Sequence, residues 1–229
     1  MDAQEMRQFV LVTGGTGGIG SEVCRALAIK GYAPVIGYRQ DETIAQALAD
    51  ETNGCLCRFD MARPSEIDGV IGTLSSLAGQ VIGVVHCASP PPQLVPFGRV
   101  SEEDMLLYWQ QNVLGPHRLF AGLVKHCLRK ARYGIVVAIA SMGMGGVGRP
   151  AMPNLGAYTI SKYGLRGVLA LLAAEYSWLT VSTVSPGFTD TRMLKVFDER
   201  FIEQIIKNNL LQKSADVAAE IVSHFPMVT

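Results

Sequence analysis

Six apolar runs of strand length, alternating with longer stretches of helical periodicity, constrain this chain more than anything else in its sequence. The runs occupy residues 9–13, 33–38, 55–59, 81–87, 135–140 and 181–185. As a set they are continuous and rich in Val and Ile, which predicts strands buried on both faces, as in a parallel sheet. Between them, residues 21–30, 43–50, 65–77, 101–129 and 157–176 repeat apolar side chains every three or four positions. Strand, helix, strand, repeated, predicts an α/β fold: a doubly wound parallel sheet with right-handed crossovers and helices on both faces. Helix-start signals agree. Ser101 with Asp104 resembles a capping box, and Asp41 and Pro64-Ser65 sit where helices should begin.

The 229 residues contain no linker or internal repeat and are expected to form one domain, residues 1–229. Residues 89–100, 142–156 and 188–212 follow strand ends, where open α/β sheets bind ligands, and are expected to be substrate loops. Charge is balanced at 20 Lys+Arg against 20 Asp+Glu, so no global basic field exists to hold nucleic acid or an anionic membrane. The five cysteines have no metal-type pairing, because Cys55-Leu56-Cys57 is not C-x-x-C, and His117 and His126 lack ligand spacing; no metal is expected. Reduced thiols, a charged start at residues 1–8 and the absence of an apolar run of about 18 residues predict a cytoplasmic protein with no membrane span.

Glycine is over-represented, 24 of 229, and five of these residues lie between Gly14 and Gly20. Thr13-Gly14-Gly15-Thr16-Gly17-Gly18-Ile19-Gly20 follows the first run and opens the first helix. Bare backbone there permits a tight turn and close approach to a pyrophosphate at a helix N-terminus. The end of the second run selects the dinucleotide, since a carboxylate accepts from a free ribose 2′-hydroxyl whereas Arg suits a 2′-phosphate. Tyr38 occupies the approximate acidic position and Arg39 follows it, favouring NADP(H) over NAD(H). Two alternatives stay open: Asp41 would reverse the preference if the strand ended two residues later, and Arg39 could be a solvated surface charge.

Tyr158 and Lys162 are four apart, so on a helix both side chains emerge on one face, an ammonium beside a phenol. A free Tyr titrates near ~10, and a nearby Lys⁺ with an oxidised nicotinamide is expected to lower it. Ser141, at the end of the fifth run, could hydrogen-bond a substrate carbonyl beside the Tyr hydroxyl.

With these residues in order, together with Asp60, Asn112 and Ser185-Pro186-Gly187-Phe188-Thr189, nearly the whole chain resembles the short-chain dehydrogenase/reductase family, whose fold is a Rossmann-type sheet. The resemblance implies that Tyr158 exchanges the proton at the substrate oxygen, Ser141 polarises the carbonyl, and Lys162 binds nicotinamide ribose and tunes Tyr158. It also implies that Asn112 holds a water in the proton relay, that Asp60, with Met61, lies against the adenine, and that Pro186, Gly187 and Thr189 cradle the nicotinamide. Gly14, Thr16, Gly17, Gly18, Ile19 and Gly20, with Ala88 and Ser89, complete the implied cofactor contacts.

Three departures stand out. His86-Cys87-Ala88-Ser89 replaces the family's Asn-Asn-Ala-Gly, so the loop is braced differently, with His86 as a donor in place of Asn. Seventeen positions separate Ser141 from Tyr158, more than usual, and the intervening loop carries Met142, Met144 and Met152, which suit an apolar substrate or simply pack. The chain ends at His224-Phe225-Pro226-Met227-Val228-Thr229, where relatives continue into a final strand, which favours a homodimer over a homotetramer. The implied activity interconverts a small-molecule carbonyl and a secondary alcohol. The resemblance is to 3-oxoacyl-(acyl-carrier-protein) reductases, acting on an acyl thioester; a sugar, polyketide or other small ketone is the competing substrate class. A non-catalytic dinucleotide-binding subunit is the competing role.

Overall fold

The computed structural model describes residues 6–228. Residues 1–5, on which the reading of the chain start partly rests, and Thr229 lie outside the described residues. Six parallel strands form the central sheet: β1 (Gln8–Thr13), β2 (Ala33–Tyr38), β3 (Cys55–Arg58), β4 (Gln80–His86), β5 (Gly134–Ile139) and β6 (Leu179–Val184), in the order β3-β2-β1-β4-β5-β6. All six coincide with the apolar runs. The strand order reverses between β1 and its neighbours β2 and β4, so a crevice opens beyond the carboxyl ends of β1 and β4.

Both faces are covered because successive side chains of a strand point to opposite sides. On β1, Phe9 and Leu11 enter one core with Ile67, Leu119, Val136 and Leu165, while Val10 and Val12 enter the other with Val23, Leu27, Ile36 and Ile221. The first core is closed by α3 (Pro64–Ser75), α5 (Gly115–Leu123) and α6 (Gly156–Glu175), the second by α1 (Gly18–Ile29), α2 (Glu42–Thr52) and α8 (Ser214–Val222). Each fully buried Leu or Ile contributes about 1.5–3 kcal/mol to holding a helix on the sheet.

The structure refines three expectations. The single helix expected over residues 101–129 is α4 (Glu102–Trp109), a π-helical turn at Gln110–Leu114, α5, and a second π turn at Val124–Leu128. Pro116 has no N–H to give the carbonyl of Asn112 four residues earlier, so the ordinary ladder cannot close there and Gly115 N–H reaches back to Gln110 instead. Ser101 caps α4, its Oγ accepting from Asp104 N–H at 3.0 Å, whereas Asp41 precedes α2 without capping it. Residues 188–212 are not a simple loop. They form a flap with β7 (Phe188–Thr189) and β8 (Leu211–Gln212) in a parallel pair and α7 (Glu199–Lys207) between them. The Asp198 carboxylate caps α7 by accepting from Phe201 N–H at 2.8 Å.

Candidate functional site

The crevice is a cavity of about 1530 Å³, large enough for a dinucleotide and a substrate together. Gly14, Thr16, Gly17, Gly18, Ile19 and Gly20 line one wall, followed by Tyr38, Arg39, Asp60, Met61, Ala88 and Ser89. Ser141, Tyr158, Lys162, Pro186, Gly187 and Thr189 line the remainder. Of the residues expected to act on substrate or to touch the cofactor, Asn112 stands back from the cavity surface.

The glycine loop is shaped by backbone proximity. Gly14 has φ +65, and a Cβ there would come within 2.9 Å of Ala88 N; a Cβ on Gly20 would strike the Gly14 carbonyl. Gly17 precedes α1, whose first turn carries no acidic residue, so free N–H groups face the cavity as an anion cradle. That chemistry and that bare surface fit a pyrophosphate.

His86, fully buried, braces the loop. Its Nδ1 lies 2.8 Å from Thr13 Oγ1, which also accepts from Ala88 N–H at 3.2 Å. Thr13 Oγ1 has lone pairs for both contacts, and the direction of its bond to Nδ1 follows the imidazole tautomer. Burial, aided by the Lys162 charge, pushes the His86 pKa down to about 3, so the ring stays neutral. Cys87 also lines the cavity, but burial raises its thiol to about 12 and leaves it protonated.

Helix α6 presents Tyr158 and Lys162 together. Lys162 Nζ donates to the Ile139 carbonyl at 2.9 Å and lies 5.7 Å from the centre of the Tyr158 ring. Contrary to the expected lowering of Tyr158 by Lys⁺, burial raises Tyr158 to about 12, opposed in part by the Ser141 hydroxyl. Burial also lowers Lys162 to about 8. Desolvation dominates both shifts because both groups are inside the wall. The Ser141 Oγ accepts from Gly143 N–H at 3.1 Å, which holds its hydroxyl at the end of β5. Asn112, in the first π turn, donates through Nδ2 to Ser161 Oγ at 2.9 Å, and Ser161 donates to the Tyr158 carbonyl at 2.8 Å. Asn112 Oδ1 has no hydrogen-bond partner.

Several cavity residues had no mark in the sequence reading. Arg192 Nη2, on the flap, is 2.9 Å from Asp41 Oδ2 and 3.3 Å from the Thr16 carbonyl. Gln212 Oε1 accepts from Gly187 N–H at 2.9 Å, tying β8 to the Pro-Gly segment. The Ser161 role could have been found from Tyr-x-x-Ser-Lys spacing on a helix; the other two depend on contacts across the fold. The cavity also has many apolar lining residues, among them Pro90 to Pro92, Met142, Met152, Phe188, Phe197 and Phe201, with Gln111, Arg149 and Asn209 as polar ones. The three Phe rings pack with centroids 5.0–5.8 Å apart. Among the described residues no His, Cys, Asp or Glu cluster is arranged to hold a metal, and no helix is long and apolar enough to cross a membrane.

Residues 8–200 match the sequence profile of the short chain dehydrogenase family. The chain belongs to the short-chain dehydrogenase family. As a member it is an oxidoreductase whose fold binds a nicotinamide dinucleotide. It is 29% identical over 196 residues to the 3-oxoacyl-(acyl-carrier-protein) reductase of Escherichia coli, covering 84% of this chain and 78% of that one. It is 28% identical over 221 residues to the Bos taurus 3-oxoacyl-(acyl-carrier-protein) reductase, covering 95% and 90%. In structure it superposes on an actinorhodin polyketide ketoreductase crystallised with NADPH, with a TM-score of 0.82, 21% identity, and coverage of 95% and 90%. A gluconate 5-dehydrogenase from Burkholderia cenocepacia in complex with NADP and tartrate gives 0.83, 21%, 95% and 87%. At that identity the structural likeness speaks for the fold.

Proposed function

We propose that this short-chain dehydrogenase is an NADP(H)-dependent reductase interconverting a carbonyl and a secondary alcohol, with residues 1–229 acting as one dinucleotide-binding and catalytic domain. One observation carries the reading: Ser141, Tyr158 and Lys162 line the same cavity as the glycine loop. The dinucleotide, when bound, supplies or accepts the hydride. Tyr158, held protonated by its raised pKa, gives its proton to the oxygen on which negative charge develops, and the Ser141 hydroxyl donates a second hydrogen bond there. Lys162, fixed by the Ile139 carbonyl, places its ammonium beside the phenol and opposes the charge left on Tyr158. Asn112 Oδ1, without a hydrogen-bond partner among the described residues, offers an acceptor for a water through which the proton is replaced.

Arg39, half exposed at the end of β2 with Asp60 Oδ2 3.8 Å from its guanidinium, supports the NADP(H) preference. The apolar walls of Pro, Met and Phe side chains support a substrate with an apolar chain, and the 3-oxoacyl reductase relatives make an acyl thioester the first substrate to try. Exposed Leu106, Leu114, Tyr163 and Leu171 on α4 to α6 support a homodimer paired through these helices.

Tyr158→Phe tests the assignment. Removing the hydroxyl should cut turnover by about a hundredfold or more, while NADPH still binds as followed by its fluorescence. Undiminished turnover would remove Tyr158 as the proton donor.

A further inference from the structure

The end of β2 offers a dinucleotide two opposed groups, Arg39 for a 2′-phosphate and Asp41 for a free 2′-hydroxyl. Asp41 is not free. Its carboxylate is held 2.9 Å from Arg192, which reaches from the far side of the cleft and is also 3.3 Å from the Thr16 carbonyl in the glycine loop. Arg192 is placed there by its neighbour: Thr191 lies against the first turn of α1, its Cγ2 2.6 Å from where a Cβ on Gly18 would be. Arg39, Asp41, Asp60 and Arg192 all line the same cavity.

Charge decides what this end can accept. Arg58, Arg63 and Glu66 lie with Arg39 and Asp60 on the outer side of this end, whereas the charge of Asp41 is met by Arg192. Left alone, the Asp41 carboxylate would repel a doubly charged phosphate and offer an acceptor to a free ribose hydroxyl; paired with Arg192 it does neither. The Arg192–Asp41 pair is exposed, at 62% and 39% for the two side chains, so its partners can exchange at little cost. A planar guanidinium offers a phosphate two parallel donors.

We propose that Arg192 is a specificity-determining residue: by neutralising Asp41 and turning its fork to the 2′-phosphate, it makes the flap a second reader of NADP(H) alongside Arg39. The proposal rests on the dinucleotide-dependent reading of the site.

Calorimetric titration with adenosine 2′,5′-bisphosphate and with adenosine 5′-monophosphate tests it without turnover, since the two ligands differ only in the 2′-phosphate and neither reaches the nicotinamide end. Arg192→Gln should weaken the bisphosphate by about tenfold and leave the monophosphate no weaker, while Arg192→Lys, which keeps the charge without the two parallel donors, should recover only part of the bisphosphate affinity. Equal weakening of both ligands would overturn the proposal and reduce Arg192 to a tether for the flap; unchanged binding of both would overturn it as well. If the unmodified protein bound neither ligand nor NADPH, the dinucleotide reading itself would fall, a result distinct from either.

Discussion

Burial sets the ionisation of the three groups nearest the strand ends: Tyr158 and His86 are neutral, and Lys162 gives up its proton more readily than an exposed lysine. For His86 this has a measurable consequence. Its folded pKa, about 3, is below the ordinary 6.5, so between these values the unfolded chain binds a proton that the folded chain does not. Stability therefore falls as pH drops through that window, by up to about 1.4 kcal/mol per pH unit. His86→Asn, which keeps a short polar group facing Thr13, should remove that slope from urea-denaturation midpoints measured between pH 6.5 and about 3. A slope unchanged in the variant would show that His86 is not the titrating group. The legibility of single residues followed the same logic of locality. Tyr158 and Lys162 were visible because four residues on a helix always share a face. Arg192 was not, because its partner Asp41 is 151 positions away.

At the scale of elements, β1, β2, β4 and β5 were legible because burial on both faces writes an unbroken apolar run, whereas the edge strands β3 and β6 are only partly buried and carry Arg58 and Thr and Ser side chains among their apolar ones. The two-residue strands β7 and β8 were not legible, since two residues carry no period. Helix α8 could have been read from Val217, Ala218, Ile221 and Val222, a stripe at helical spacing that packs against α1. The long helix was read correctly as an element but not in its interruption, whose cause, Pro116, was in plain view. That interruption matters because it sets the register of Asn112 against Ser161. Pro116→Ala restores the missing N–H and should let the ordinary ladder close, turning Asn112 away from Ser161. Turnover should drop about tenfold or more while the helical signal in circular dichroism is kept. Full activity in a folded Pro116→Ala protein would show that the π turn does not position Asn112.

At the scale of the molecule, a sheet order that reverses at β1 leaves one large crevice, and the chain places its glycine loop, its buried Tyr-Lys pair and its apolar flap around it. A protein without net charge can still hold a dinucleotide if the anion is met locally; in the proposed reading, backbone N–H groups at the start of α1 and the guanidinium groups of Arg39 and Arg192 would meet it. Substrate identity was the least legible property, since walls of Pro, Met and Phe accept many apolar chains alike. The central claim is that this crevice moves hydride between NADP(H) and a carbonyl. Its most direct test is the absorbance of NADPH and NADH mixed with the protein and a panel of 3-oxoacyl thioesters and simple ketones. The account predicts that NADPH is consumed faster than NADH, and that consumption stops in Tyr158→Phe. A protein that binds NADPH but consumes neither cofactor with any carbonyl in the panel would contradict it.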